Sequence, residues 1–250
     1  MTREPMKIRL DQALVARNLV ATRARARDLV LRGEVSVDGR TVTKPSTPVD
    51  DGNRLSVADG AGAYVSRGAL KLRHALDHFG LGATGRIALD IGASTGGFTE
   101  TLLAAGAARV YAVDNGRGQL HPDLAADPRV VSLEGMDART LDASVIPVPA
   151  GVVVADVSFV SLTKVLPAAL ALTAPGAWLA VLIKPQFELE PGRVPRDGIV
   201  KDEAAREEAV TRVTAWVGAL DGWQVLGCTP SPIHGGGGNV EFLLGARRHG

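Results

Sequence analysis

From residue 87 onward, seven apolar runs alternate with helical or turn-rich stretches, and few folds can bury such a pattern. The runs are 87–91, 110–113, 130–133, 152–155, 178–183, 223–227 and 240–244. The first five are short and almost wholly apolar, as strands covered on both faces must be. Separated by helices, they predict an α/β doubly wound, Rossmann-like sheet of seven strands whose first five are parallel. Such sheets bind ligands beyond the C-terminal ends of their strands, where the strand order reverses. Charged residues at those ends are the first candidates for a site.

One apolar stretch admits a rival reading. Residues 165–183 carry no charge over nineteen positions, close to the length of a membrane span. Pro167, Pro175 and Gly176 interrupt it, so a buried helix, a turn and a buried strand are expected instead.

Residues 6–60 read as a separate, small α+β unit, followed by a linker at 61–66 and the large unit at 67–248. Leu10, Leu14 and Val15 share a helical face; Thr22 can cap a second helix that runs to Arg32 before Gly33 ends it. Short strands follow at 35–37, 41–42 and 55–57, with a turn at Asp38-Gly39. The whole chain carries a net charge of only +1, but its charge is uneven. Residues 3–32 hold eight basic side chains (Arg3, Lys7, Arg9, Arg17, Arg23, Arg25, Arg27, Arg32) against Glu4, Asp11 and Asp28. A local excess of this kind suits a polyanion. Arg23 and Arg27, one helical turn apart, share a face.

Aromatic residues make up 4% of the chain, so a broad base-stacking surface is not expected. Cys228 is the only cysteine. Neither a disulfide framework nor a cysteine-based zinc site can form within one chain, which fits a reducing cytoplasm. Cys228 itself is expected to be buried and inert. The first residues hold Arg3 and Glu4 and no apolar core of leader length, so secretion is not expected.

The first strand of the sheet runs into Asp90-Ile91-Gly92-Ala93-Ser94-Thr95-Gly96-Gly97-Phe98 and a helix. Glycines at such a turn let backbone approach a ligand closely. Ser94 stands where a dinucleotide fingerprint needs glycine, and no G-K-[ST] ending marks a phosphate loop. Asp114, closing the second strand, can accept from both hydroxyls of a ribose. Asp137, after the third, can accept from an adenine amino group, and Asp90 can take the ammonium of an amino-acid tail.

Three more charged residues fall where an active site belongs. Asp156 follows the fourth strand, Lys184 ends the fifth, and Glu241 lies within the otherwise apolar last strand, where a buried acid needs a partner. With Lys71 from the helix before the sheet, they make a set of two lysines and two acids.

These motifs resemble known families. Arg9-Leu10-Asp11-Gln12-Ala13-Leu14, Thr22-Arg23-Ala24-Arg25-Ala26 and the run from Gly33 to Gly39 resemble the S-four-like RNA-binding module. The loop D-x-G-A-S-x-G-G-F resembles the S-adenosylmethionine loop of FtsJ-like ribose methyltransferases, and Lys71, Asp156, Lys184 and Glu241 resemble their K-D-K-E tetrad. Together with S-R-G-A-x-K-L, D-V-S-F and K-P-Q-F-E, the whole chain resembles the TlyA, or hemolysin A, family. The resemblance implies 2′-O-methylation of cytidine in ribosomal RNA, with ribosomal subunits as partners and no metal or membrane. It also implies that S-adenosylmethionine is held by Asp90, Gly92, Ala93, Ser94, Gly96, Gly97, Phe98, Asp114, Asp137 and Asp156. Arg9, Arg23, Arg25 and Arg27 would meet RNA.

The chemistry suits these residue types. The sulfonium donor is already activated, so the protein must align the attack and take the hydroxyl proton. Beside Lys71 and the sulfonium, and partly desolvated, Lys184 is expected to release its own proton readily and act as base. Glu241 opposes that effect and is expected to orient the lysines, while Asp156 holds Lys184 and the methyl-donor end of the cofactor. Base methylation is the nearest rival. Amino-group enzymes usually carry N-P-P-Y where this chain has Asp156-Val157-Ser158-Phe159, and carbon methylation needs a cysteine that Cys228 is too distant to supply. A membrane-lytic protein without methyltransferase activity, as the older family name suggests, and a binding-only RNA chaperone are the other readings.

Overall fold

The computed structural model describes residues 7–31, 33–58, 64–235 and 238–250. Arg3, Glu4 and Arg32 of the basic stretch, the first half of the linker, and Gly236-Gly237 lie outside the described residues. The chain divides into two compact units, residues 1–67 and 68–250.

The first unit contains β1 (Ile8–Arg9), α1 (Leu10–Ala16), α2 (Arg23–Leu31), β2 (Val35–Val37), β3 (Arg40–Thr41), β4 (Pro48–Val49) and β5 (Leu55–Val57). The strands form a β1–β4 pair and a three-stranded sheet ordered β3-β2-β5. Leu10, Leu14, Leu29, Val30, Val35 and Val49 close its core. Thr22 caps α2 by accepting from the Arg25 N–H at 3.2 Å. Asp38 and Gly39 both adopt left-handed backbone (φ 50° and 79°), the geometry a tight two-residue hairpin requires. Asp38 completes the turn by accepting from the Arg54 N–H and the Asn53 amide.

The second unit runs α3 (Gly68–Phe79), β6 (Ile87–Ile91), α4 (Gly97–Ala104), β7 (Arg109–Asp114), α5 (Pro122–Ala125), β8 (Val130–Glu134), β9 (Ala150–Ala155), α6 (Leu162–Ala171), β10 (Thr173–Ile183), α7 (Pro185–Glu188), α8 (Glu203–Gly218), β11 (Trp223–Pro230) and β12 (Phe242–Arg248). Its sheet is ordered β11-β12-β10-β9-β6-β7-β8. The five strands β6 to β10 are mutually parallel, while β12 runs antiparallel to both β10 and β11. From β6 the chain moves outward through β7 and β8, then returns to place β9 and β10 on β6's other side. The switch point therefore lies between β6 and β9. Leu89, Ile91, Val153, Leu166, Leu179, Val181 and Ile183 are fully buried and form the centre of the core.

Three expectations need correction. Pro175-Gly176 does not separate a turn from a strand; it lies inside β10, where the register with β9 slips between Thr173 and Trp178. Glu241 is not within the last strand, which begins at Phe242. Because β12 is antiparallel, its first residue pairs with Ile183, the last of β10, so Glu241 still reaches the C-terminal edge of the parallel strands. Cys228 is exposed rather than buried, because β11 is an edge strand with one face open. Its thiol is desolvated enough to be pushed up to about 11, which leaves it a poor nucleophile.

Candidate active site

The loops after β6 and β9 are pressed together at the switch point. The Asp156 N–H donates to the Ile91 carbonyl at 3.0 Å, extending the sheet by one bond. Gly92 sits at φ 83°, and a Cβ there would lie 2.6 Å from the Asp156 carbonyl oxygen, so only glycine fits. Beside this contact opens a cavity of about 610 Å³. It is lined by Gly92, Ser94, Asp114, Asp137, Asp156 and Phe159, among others.

Lys71, Lys184 and Glu241 gather around Asp156, the member of the four that lines the cavity. Lys71, 7% exposed, donates from Nζ to Glu241 Oε2 at 2.6 Å, and Glu241 is 2% exposed. The same ammonium lies 3.9 Å from Asp156 Oδ2. The other Asp156 oxygen, Oδ1, is 2.7 Å from Lys184 Nζ, close in distance but out of hydrogen-bond alignment. The four groups thus form a chain of alternating charge, Glu241–Lys71–Asp156–Lys184. Each buried charge has an opposite neighbour, as burial demands. The Gly235 backbone sits against the Glu241 carboxylate, leaving no room there for a Cβ.

The carboxylates on the cofactor side are already engaged. Asp114 accepts from the Ser94 N–H at 2.8 Å and the Gly116 N–H at 2.7 Å, so it braces the glycine loop while facing the cavity. Asp137 is held by the Arg139 guanidinium and N–H, which bring it down to about 2. A carboxylate has about four acceptor directions; Asp114 uses two and keeps capacity for a ligand donor, whereas Arg139 makes four contacts to the two Asp137 oxygens. Asp90 is fully buried; Oδ2 accepts from the Thr99 hydroxyl at 2.6 Å and Oδ1 has no partner among the described residues. Burial, reinforced by the like charges of Asp156 and Asp114, pushes Asp90 up to about 7. Asp90, Ala93, Gly96, Gly97 and Phe98 do not line the cavity; Asp90 lies one residue behind its Ile91 and Gly92 wall. Gly96 starts α4 in left-handed backbone with Leu120 and Leu124 against it, and Phe98 is buried.

Several contributors escaped the sequence reading. Asn115, Gln119 and Arg139 also line the cavity. Glu134, ending β8, gathers the Gly118, Gln119 and Leu120 N–H groups and so shapes the loop that carries Gln119. Phe159 is 92% exposed at φ 66°, its ring 5.1 Å from that of Phe187. Aromatic surface is therefore scarce in the chain but present at the cavity mouth. Glu188, buried and pushed up by desolvation, accepts from the Ser161 hydroxyl and the Leu162 N–H and so holds the start of α6. The K-P-Q-F-E run was a usable signal for it; the others depend on folded distance.

In the first unit, Asp11 is 1% exposed and binds two arginines. Arg9 grips both its oxygens at 2.9 and 3.0 Å, and Arg23 donates to Oδ2 at 3.2 Å. Arg17 is spent on the Asn53 and Asp50 carbonyls. Arg25 is half-buried and Arg27 exposed.

Comparison with known proteins accords with this geometry. The FtsJ-like methyltransferase family matches residues 64–248, and the S4 domain family matches residues 8–55. The chain belongs to the FtsJ-like methyltransferase family. It is 45% identical over 242 residues to the 16S/23S rRNA (cytidine-2′-O)-methyltransferase TlyA of Mycobacterium tuberculosis, covering 96% of this chain and 90% of that one. It is 38% identical to Hemolysin A of Brachyspira hyodysenteriae, covering 94% and 98% of the two chains. A solved structure of a Streptococcus thermophilus protein described as a hemolysin superposes with a TM-score of 0.75 at 39% identity, over 99% and 90% of the two chains. In this methyltransferase the switch-point cavity fits a nucleoside-bearing methyl donor. Its volume lies within the range of about 300–1,000 Å³ usual for small-molecule sites, Gly92 leaves backbone bare, and Asp90 Oδ1 is a buried acceptor without a donor.

Proposed function

We propose that the enzyme methylates the 2′-hydroxyl of a cytidine in ribosomal RNA, with S-adenosylmethionine as donor, in the cytoplasm. The observation that carries this reading is the unbroken ionic chain from Glu241 through Lys71 and Asp156 to Lys184 beside the cavity. The names of its relatives support the RNA and the nucleotide.

S-adenosylmethionine, when bound, would supply an activated methyl group on a sulfonium whose sulfur is the leaving group. In this reading Asp114 and Asp137 would hold its ribose and adenine, and Asp90 its ammonium. The chain's own work is to orient and deprotonate the ribose hydroxyl. Lys184, as the neutral amine, receives that proton on Nζ and becomes an ammonium facing Asp156. Lys71, fixed by Glu241, faces Asp156 from the side opposite Lys184. Arg9, Arg23, Arg25 and Arg27 hold RNA phosphates. Residues 6–60 serve as the RNA-binding unit, 61–66 as linker and 67–248 as the catalytic unit.

No helix among the described residues is long and apolar enough to cross a membrane, so nothing observed favours the lytic reading. The deciding experiment is transfer of labelled methyl groups to purified ribosomal subunits, with the modified ribose mapped. The parent should label RNA, and Lys184→Ala should lose at least about 100-fold in rate while binding S-adenosylmethionine as before. An equally active Lys184→Ala would remove Lys184 as the base.

A further inference from the structure

An amine acting as base must do more than be near its proton. Its lone pair must point at the hydroxyl, and a lysine head turns about several single bonds. The ion pair with Asp156 does not supply that direction, because Oδ1 at 2.7 Å is out of hydrogen-bond alignment with Nζ. Among the described residues one acceptor is aligned with Lys184 Nζ: the Ser158 hydroxyl oxygen at 3.0 Å.

We propose that Ser158 is a positioning residue that aims the Lys184 amine, so that its loss slows the chemical step without weakening cofactor or RNA binding. The inference rests on the 2′-O-methyltransferase reading above. Ser158 lines the cavity together with Asp156 and Phe159, so the serine end of the hydrogen bond lies at the cavity. With one N–H directed to Ser158 at 3.0 Å, rotation of the Nζ head is fixed, so its lone pair and its other N–H are held to set tetrahedral directions.

The fold holds both ends of this bond. Immediately after Ser158 the chain turns through Phe159 at φ 66°, a left-handed conformation that non-glycine residues keep only when surroundings enforce it. Three residues on from Ser158, Ser161 caps α6 and is itself held by Glu188 at 2.6 Å. Glu188 follows Lys184 by four residues, so one buried carboxyl ties the serine's loop to the lysine's loop.

The test uses the full chain, ribosomal subunits and labelled S-adenosylmethionine, with the parent, Ser158→Ala and Ser158→Thr compared. Ser158 is exposed, so neither change threatens folding. Ser158→Ala should slow single-turnover methyl transfer about tenfold at saturating donor and RNA, with both KM values within about twofold. Ser158→Thr, which keeps the hydroxyl, should recover at least about half of the rate. An unaltered rate for Ser158→Ala, a loss confined to KM, or a loss that threonine does not repair would each overturn the proposal. So would a faster alanine variant, which would mean that the serine ties up the lone pair instead of aiming it. A parent chain unable to methylate RNA would overturn the underlying reading, a result distinct from all of these.

Discussion

Glu241→Gln isolates what the buried end of the ionic chain contributes. The amide keeps the shape of the side chain and one acceptor, so the change is almost purely electrostatic. It removes the charge from a group 2.6 Å from Lys71 Nζ and leaves Asp156, at 3.9 Å, as the one carboxylate beside that ammonium among the described residues. At an effective dielectric constant of about 20, the gross attraction is about 6 kcal/mol across the shorter distance and about 4 kcal/mol across the longer. Removing one partner of a buried pair usually costs about 3–5 kcal/mol. The lower figure is expected here, because Asp156 remains, although it also serves Lys184. For a unit of this size, about 3 kcal/mol lowers Tm by roughly 6–12 °C. Thermal and urea unfolding of the cofactor-free chain would read the loss, followed on the transition of the methyltransferase unit. The double variant Lys71→Met with Glu241→Leu should recover most of the lost stability, since apolar replacements of a buried pair are often neutral, and yet stay inactive. A Glu241→Gln chain that melts within about 2 °C of the parent would refute the claim that this buried pair stabilises the fold.

Two further outcomes follow from single carboxyls. Asp90 is raised in the fold from 3.8 to about 7, so the folded chain binds the extra proton between those values and this group's contribution to stability falls as pH rises from about 4 to about 7. A ligand ammonium at Oδ1 favours the ionised form, so S-adenosylmethionine should bind more tightly as pH rises toward about 7, by up to tenfold per unit, then level off. Calorimetry across that range should find the slope gone in Asp90→Asn; a flat parent profile would remove Asp90 as the ammonium's partner. Asp11→Asn adds a net positive charge, which by charge alone would tighten RNA binding. If Asp11 instead aligns Arg9 and Arg23 for phosphate, filter binding to ribosomal RNA should weaken about 3–10-fold, with the maximal methylation rate unchanged. Tighter binding would show that alignment by Asp11 does not matter.

The chain alone determined those features whose causes are local. Apolar runs marked all seven strands of the large sheet, although β10 begins five residues before its run; in the five parallel strands this is because burial on both faces constrains every side chain. Thr22, Gly33 and Asp38-Gly39 marked caps and a turn, because their backbone preferences act within three or four residues. The order of acids and lysines along the strands also pointed to one edge of the sheet. Only tertiary structure decided who partners whom. Lys71 and Glu241 are separated by 170 positions, and Lys184 and Ser158 by 26, so periodicity cannot register either pair. The reach of Arg23 to Asp11, twelve positions away, and the open face of Cys228 are of the same kind. Each depends on a distance or an exposed face that exists only after the elements pack, and electrostatics over a few ångströms then sets which charge each group serves.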